Sequence, residues 1–238
     1  MILRALACLL ALTGLADACE SVDHRGRTFT VCTADLARQE IGLRLNGVDG
    51  LPLGEFDALQ AKVDAPIHFA MNGGMYHQDR RPVGLYVEDG KQSKRIVIRE
   101  GPGNFGLLPN GVFCIRDDRA DVIESRAFAD EPPACRHATQ SGPMLVIDGR
   151  LHPRFLPDSM SFKRRNAVGA TPDGRTVHFV ISEGAVTFHE MATLFRDVLD
   201  VRDALFLDGT VSRLHAPAQG RSDPGRAMGP ILYVTGRG

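Results

Sequence analysis

Four segments of the chain place polar side chains beside glycines at the point where an extended apolar run ends. They are residues 69–76, 139–143, 180–184 and 205–212. Sheet proteins often build binding sites in this way, because the glycines let a ligand approach the backbone next to the polar groups. The pattern selects the following candidate site residues: Asn72, Gly73, Gly74, Ser141, Gly142, Glu183, Asp208, Thr210 and Ser212.

Two of these candidates are carboxylates. Residues 204–207 form a continuous apolar run, typical of a strand buried on both faces, so the carboxylate of Asp208 is expected to be partly desolvated. A hairpin turn at Asp208-Gly209 is the alternative. The same reasoning applies to Glu183, whose alternative is an exposed carboxylate ahead of a helix. Asn72 is equally compatible with a left-handed turn before two glycines.

A basic triplet, Lys163-Arg164-Arg165, leads into an apolar stretch over residues 166–171. Such a triplet commonly forms a solvated face. Because Arg165 is one residue from the predicted strand, its side chain can instead point inward. A guanidinium in that position holds a phosphate or carboxylate through two hydrogen bonds.

Two motif matches lack the context that their chemistry requires. Residues 101–106 fit the dinucleotide fingerprint G-x-G-x-x-G, but no buried strand precedes them and no helix follows them. His189-Glu190 resembles the start of the zinc motif H-E-x-x-H, but Thr193 stands where the second histidine belongs. Nucleotide binding and zincin chemistry are therefore not expected.

Short apolar or alternating stretches separated by turn residues predict a strand-rich fold. Hairpin turns are predicted at Asp89-Gly90, Asn110-Gly111, Asp148-Gly149 and residues 172–174. The predicted strands cover residues 28–32, 41–45, 66–70, 83–88, 95–99, 111–116, 144–147, 166–171, 176–182, 204–207 and 231–234.

Two helices are predicted, over residues 56–63 and 187–199. Thr187 and Glu190 form a capping box at the start of the second helix. Strands far outnumber helices and many of them are joined by hairpins. The sequence therefore predicts an α+β fold, with a mixed or antiparallel sheet system and few helices, in a single domain.

The first 18 residues have the features of a secretory signal peptide. Arg4 is followed by an apolar run too short to span a bilayer, and Ala16-Asp17-Ala18 offers small residues for cleavage before Cys19. We expect a signal peptide over residues 1–18 and one domain over residues 19–238, with an exported, periplasmic or secreted location. Lipid attachment at Cys19 is the alternative, although an aspartate is unusual before that processing site.

Four cysteines remain after such cleavage: Cys19, Cys32, Cys114 and Cys135. An even number in an oxidising compartment favours two disulfides, and three pairings exist. We favour Cys19 with Cys32 and Cys114 with Cys135, because each pair brackets a short segment. Four free buried thiols are the alternative.

The net charge of −1 predicts no attraction to nucleic acid. The mature chain lacks a second long apolar run, so no transmembrane segment is expected. Neither a metal nor a cofactor is predicted, since the ligand spacings are absent. Nothing in the sequence indicates the oligomeric state.

The chain resembles the phosphodiester glycosidase family. The resemblance rests on short motifs in the family's order, from about residue 66 to residue 234. These motifs are Asn72-Gly73-Gly74-Met75-Tyr76, Ser141-Gly142-Pro143, Arg165 through Gly169, Glu183-Gly184 and Leu207-Asp208-Gly209 through Ser212.

The resemblance implies hydrolysis of a sugar-1-phosphodiester in a glycan or phosphoglycan. Arg165 would then hold the phosphate, and Asp208 and Glu183 would be the base and the sugar-orienting carboxylate, in either order. Hydrogen bonds to the substrate would come from Asn72, Ser141, Thr210 and Ser212, with Gly73, Gly74 and Gly142 allowing close approach.

One departure from the family pattern affects the last motif. The family usually shows Asp-Gly-Gly-Gly-Ser, whereas this chain has Thr210 and Val211 in place of two glycines. The alternative function is therefore an envelope protein that binds or assembles exopolysaccharide without turnover. A disulfide-linked envelope protein without a site is a further alternative.

Overall fold

Short stretches bounded by turn residues form strands throughout residues 19–237, the part of the chain that the computed structural model describes. Numbered along the chain, the strands are β1 (Cys19–His24), β2 (Arg27–Asp35), β3 (Gln39–Arg44), β4 (Ile67–Asn72), β5 (Tyr86–Glu88), β6 (Lys91–Lys94), β7 (Gly111–Ile115), β8 (Ala120–Glu124), β9 (His137–Ser141), β10 (Met144–Ile147), β11 (Arg150–Leu151), β12 (Asn166–Ala170), β13 (Thr176–Ser182), β14 (Asp203–Asp208), β15 (Leu214–Ala216), β16 (Arg221–Ser222) and β17 (Ile231–Gly236).

The strands form three antiparallel sheets. The first sheet has the order β1-β2-β13-β12-β14-β10-β11, the second β16-β15-β4-β17-β3, and the third β6-β5-β9-β7-β8. The helices are α1 (Phe56–Gln60), α2 (Ser125–Asp130) and α3 (Phe188–Asp197). The predicted α+β class with few helices is confirmed, although α2 was not predicted.

One aromatic cluster joins the three sheets in a common core. Phe179 of the first sheet lies 5.3 Å, between ring centroids, from Phe69 of the second sheet. It lies 6.0 Å from Phe113 of the third sheet. All three side chains are almost completely buried, so each sheet contributes one face to a shared apolar interior.

Helix α3 covers the other face of the first sheet. Its capping box is confirmed: the Thr187 hydroxyl accepts from the Glu190 N–H at 3.1 Å, and the Glu190 carboxylate accepts from the Thr187 N–H at 2.8 Å. Phe195 packs against Gly169 of β12, where a side chain would collide with its ring. Gly169 therefore allows α3 to lie close to the sheet.

The structure differs from the prediction at one strand and at one turn. Asp89-Gly90 forms the predicted turn, which pairs Glu88 with Lys91 and places β6 at Lys91–Lys94 rather than at residues 95–99. The turn predicted at Asn110-Gly111 is wrong. Asn110 is completely buried ahead of β7, and its amide donates to the Phe105 carbonyl at 3.0 Å.

The two disulfides join Cys19 to Cys32 and Cys114 to Cys135, which are the favoured pairings. The predicted signal peptide lies outside the described residues. Lipid attachment at Cys19 would need the sulfur that bonds to Cys32, so one molecule cannot carry both. Within residues 19–237, no helix is long and apolar enough to cross a membrane.

Gly74 is a position where packing between sheets requires glycine. Its N–H donates to the Thr139 hydroxyl at 3.2 Å, and a Cβ there would lie 2.5 Å from the Gln140 carbonyl oxygen. Since that oxygen belongs to the backbone of β9, it cannot move aside without cost.

We therefore expect Gly74→Ala to lower the free energy of unfolding by about 1–3 kcal/mol, measured by denaturant titration. Gly184→Ala is the matched control, because a Cβ at Gly184 meets no atom within 4 Å. Its expected effect is within about 0.5 kcal/mol. Equal stability of the two variants would contradict this packing.

Candidate functional site

The candidate site lies at the end of the first sheet where three strands meet. Asn166 begins β12 and pairs with Asp208 at the end of β14, and on its other side with Ile181 of β13. The end of β4, at Asn72, reaches the same place from the second sheet. The strand ends predicted to carry polar groups are therefore neighbours.

Two buried amides connect the sheets at this point. The Asn166 amide N–H donates to the Asn72 side-chain oxygen and to its carbonyl, each at 3.1 Å. The Asn72 amide donates back to Asn166 Oδ1 at 3.2 Å. Neither residue is exposed. Since buried polar groups need partners, this reciprocal pair fixes both strand ends.

The same amides hold the backbone around the candidate carboxylate. Asn166 Oδ1 accepts from the Asp208 N–H at 3.1 Å, and Asn72 Oδ1 accepts from the Arg213 N–H at 3.0 Å. The Ser212 hydroxyl donates to the Asp208 carbonyl at 3.0 Å. The turn between Asp208 and Arg213 is thus fixed at both ends.

The two oxygens of the Asp208 carboxylate have different environments. Oδ1 accepts from the backbone N–H groups of Gly209 and Thr210 at 2.6 Å each, and from that of Val211 at 3.3 Å. Oδ2 makes no hydrogen bond with any residue among 19–237. One oxygen therefore holds the turn, and the other is available to a ligand.

Asp208 lines a cavity of about 760 Å³. Its walls come from the loop of residues 75–83, the turn of residues 208–211, Asn104 and residues 226–227. Thr210 is exposed on the turn and also lines the cavity. This volume lies within the usual range for small-molecule sites.

Tyr76 places a phenol in the wall of this cavity. Its ring packs on Gly229, where any side chain would collide with it, and its hydroxyl donates to the Ala227 carbonyl at 3.5 Å. Burial, with a smaller contribution from the charge of Asp208, raises the pKa of Tyr76 to about 12. The phenol therefore stays protonated at neutral pH, and its long bond to Ala227 can be exchanged for a bond to a ligand in the cavity.

Arg165 points inward, as the phosphate-clamp hypothesis requires, but it does not line the cavity. Its side chain is 1% exposed and lies over the Phe188 ring, with the guanidinium carbon 3.7 Å from the centroid. Nε donates to the Val186 carbonyl at 2.9 Å, and Nη2 donates to the Ser161 carbonyl at 2.8 Å.

The remaining nitrogen of this guanidinium, Nη1, is buried and has no hydrogen-bond partner among the described residues. Burial lowers the pKa of Arg165 to about 10, so the group is still charged at neutral pH. Nη1 would lie 3.5 Å from a Cβ on Gly209. Gly209, which lines the cavity, is therefore a close neighbour of this charge.

Glu183 lies at the same end of the first sheet but does not line the cavity. Its carboxylate accepts from Arg221 Nη1 at 2.7 Å, and Arg221 Nε donates to Asp223 at 3.0 Å. Asp223 also accepts from Arg164 Nη2 at 3.0 Å. Glu183 therefore belongs to an ion-pair network that links β13 to the chain around β16.

The other predicted residues are structural neighbours of the site. The Ser141 hydroxyl donates to the Leu207 carbonyl at 2.9 Å, and the Gly73 N–H donates to the Pro230 carbonyl at 2.7 Å. A Cβ on Gly142 would lie 2.6 Å from the Cβ of Asn110. Of the predicted site residues, Asp208 and Thr210 have side chains that line the cavity.

Several cavity residues were not predicted from the sequence. Tyr76 lines the cavity and lies within a motif of the family resemblance, which gives it no role. The same holds for Asn166, which is buried beneath the site. Arg80 and Arg226 line the cavity from loops without a sequence pattern. Among residues 19–237, no group of three or more His, Cys, Asp or Glu side chains is arranged to hold a metal ion.

The sequence of this chain is similar to those of known proteins. Residues 65–235 match the family model described as phosphodiester glycosidase, a span that contains every motif behind the resemblance. The uncharacterized protein YigE of Escherichia coli (strain K12) is 33% identical over 216 residues, which cover 90% of this chain and 84% of YigE.

Two solved structures share the fold. The catalytic domain of zebrafish N-acetylglucosamine-1-phosphodiester alpha-N-acetylglucosaminidase, auto-inhibited by its pro-peptide, has a TM-score of 0.62 and 16% identity, covering 92% of this chain and 82% of that one. A candidate exported protein of Burkholderia pseudomallei K96243 has a TM-score of 0.54 and 12% identity, covering 88% and 74%.

The amide pair generates a stability prediction. Asn166→Ala removes the acceptor of the buried Asn72 amide N–H and of the Asp208 N–H, and it removes one donor to Asn72 Oδ1 and to the Asn72 carbonyl. We expect the free energy of unfolding to fall by about 2–4 kcal/mol in denaturant titrations. Asn104→Ala is the control, because Asn104 is exposed and its side chain bonds to no described residue. An Asn166→Ala protein as stable as this control would refute the role of the pair.

Proposed function

Because the chain belongs to the phosphodiester glycosidase family, we propose that it hydrolyses a sugar-1-phosphodiester and releases the sugar from a phosphate monoester. Family membership makes the chain a phosphodiester glycosidase-like hydrolase. The observation that carries the finer proposal is the Asp208 carboxylate, which has one oxygen fixed by backbone N–H groups and the other free beside the cavity.

In the proposed reaction, Asp208 Oδ2 takes a proton from a water molecule that attacks the anomeric carbon. The bond between this carbon and the bridging oxygen breaks, and the electron pair leaves with the phosphate monoester. The transition state has oxocarbenium character. A strong general acid is less necessary than in other glycosidases, because the phosphate carries the leaving charge well.

Arg165 contributes a positive charge to this site. A buried cation without a carboxylate partner among the described residues is costly, unless an anion approaches it. We therefore propose that Arg165 makes no hydrogen bond to the phosphate. Its positive charge instead attracts an anion in the cavity from behind Gly209. Direct hydrogen bonds to the phosphate must come from groups that line the cavity.

Glu183 is proposed to act as a positioning residue, since its carboxylate is held by Arg221 and neither residue lines the cavity. The Thr210 hydroxyl is proposed to bond to the substrate, because it is exposed on the cavity wall. Three further residues do not line the cavity and are proposed to hold the surrounding backbone in place. They are Asn72, Ser141 and Ser212, whose side chains make hydrogen bonds to backbone groups.

The substrate is proposed to be a glycan or phosphoglycan outside the cytoplasm. Two disulfides are typical of proteins in an oxidising compartment. The predicted signal peptide and the likeness to a candidate exported protein agree with this location. The phosphodiester in the name of the zebrafish relative supports the bond that is proposed to be cleaved.

The first test uses a panel of sugar-1-phosphodiesters and measures the free sugar. We expect turnover of at least one member, and expect Asp208→Asn to lower kcat/KM by about 10²- to 10⁴-fold while the protein stays folded. Asp203→Asn is the control, since Asp203 lies at the opposite end of β14. A folded, fully active Asp208→Asn protein would contradict the mechanism. No turnover of any member would favour glycan binding without catalysis.

A second test concerns the phenol beside the carboxylate. Tyr76→Phe keeps the ring that packs on Gly229 but removes the donor, so we expect kcat/KM to fall about 10-fold, or about 1.4 kcal/mol. The thermal midpoint should change little. Tyr233→Phe, in β17 with its ring against Gly42, is the matched control and should keep full activity. Equal activity of the two variants would exclude a role for the Tyr76 hydroxyl.

A further inference from the structure

Two arginines line the cavity without a carboxylate partner. Among residues 19–237, twenty-one close ion pairs engage basic side chains, and neither Arg80 nor Arg226 takes part in any of them. Both residues line the same cavity as Asp208. The neighbouring Arg81, in contrast, is bound by Asp79, with Nε and Oδ2 2.7 Å apart.

Arg80 lies in a tight turn of the cavity wall. Arg80 has a φ of 68°, a left-handed conformation that favours glycine, in a turn where its N–H donates to the His77 carbonyl at 2.8 Å. Its Nη1 donates to the Pro52 carbonyl at 3.2 Å and lies close over Gly54. The turn and the bond to Pro52 therefore fix the position of Arg80 and leave Nε and Nη2 of its guanidinium without a partner among residues 19–237.

Arg226 is placed by a second, buried arginine. Arg213 is 5% exposed, and its Nη1 donates to the Arg226 carbonyl at 3.0 Å, while Nη2 binds Glu55 at 2.8 Å. Arg213 Nε also donates to the Asp223 carbonyl at 2.9 Å. The backbone that carries Arg226 is therefore fixed, although the Arg226 side chain itself is exposed and makes no hydrogen bond within residues 19–237.

We infer that Arg80 and Arg226, on the wall of the cavity, bind the phosphoryl oxygens of the substrate. The inference rests on the proposed function and deepens it. A phosphodiester carries one negative charge, and the guanidinium groups supply charge-assisted hydrogen bonds to its oxygens. Arg165 is sealed behind Gly209, so direct contact falls to these two side chains. They would make the enzyme select phosphodiesters over neutral glycosides.

The test measures binding separately from turnover. Inorganic phosphate is titrated calorimetrically into the wild type, Arg80→Gln, Arg226→Gln and the double variant, and kcat/KM is measured with a sugar-1-phosphodiester. Arg81→Gln is the matched control. We expect phosphate affinity and kcat/KM to fall about 10-fold in each single variant and further in the double variant. The control should remain within about twofold of the wild type.

Arg226→Gln keeps the result interpretable, because this exposed side chain has no bond whose loss could unfold the protein. Phosphate affinity as high in both single variants as in Arg81→Gln would overturn the inference, even if the sugar-1-phosphodiester is cleaved. If the wild type cleaves no phosphodiester but both arginines are needed for phosphate binding, the anion site stands and the proposed reaction fails.

Discussion

A reciprocal pair of fully buried amides, Asn72 and Asn166, joins strands from two different sheets at the point where the cavity opens. An unpaired amide in that interior would cost the free energy of its desolvation, so each side chain holds the other in place. The second lone pairs of the two oxygens then bind the N–H groups of Asp208 and Arg213. This junction therefore positions both the Asp208 carboxylate and the buried guanidinium of Arg213, which holds the backbone of Arg226.

Some charged side chains around this junction form ion pairs, and others have no partner of opposite charge among the described residues. Arg164 and Arg221 neutralise Glu183 and Asp223 in a network beside the cavity. Hydrogen bonds from Arg221 and from the Leu214 N–H lower the pKa of Asp223 despite its burial. Arg165 has no such partner among the described residues, and neither have the arginines of the cavity wall. Arg80 and Arg226 line the same cavity as Asp208. A cavity that combines positive charge with a carboxylate suits an anionic ester that is attacked by base-activated water.

Much of this arrangement follows from local sequence. The capping box at Thr187 predicts α3, the apolar run before Asp208 predicts a buried strand that ends in a carboxylate, and short spacings favour the observed cysteine pairs. Other features depend on contacts far apart in the chain. Arg165 is held by the Val186 carbonyl and the Phe188 ring, more than twenty residues further along the chain. Glu183 meets Arg221, 38 residues away, because the chain around β16 lies beside the end of β13. The cavity arginines sit in loops where no periodic pattern reports which way a side chain points.

The central claim is that water attacks the sugar carbon rather than phosphorus. It is tested most directly by hydrolysing a sugar-1-phosphodiester in water enriched in oxygen-18 and weighing the released phosphate monoester by mass spectrometry. Because that ester does not exchange its oxygens with water during the assay, it records which bond broke. With Asp208 directing water to the anomeric carbon, the phosphate monoester should contain no oxygen-18. Label in the phosphate monoester would show cleavage at phosphorus and contradict the assignment as a glycosidase.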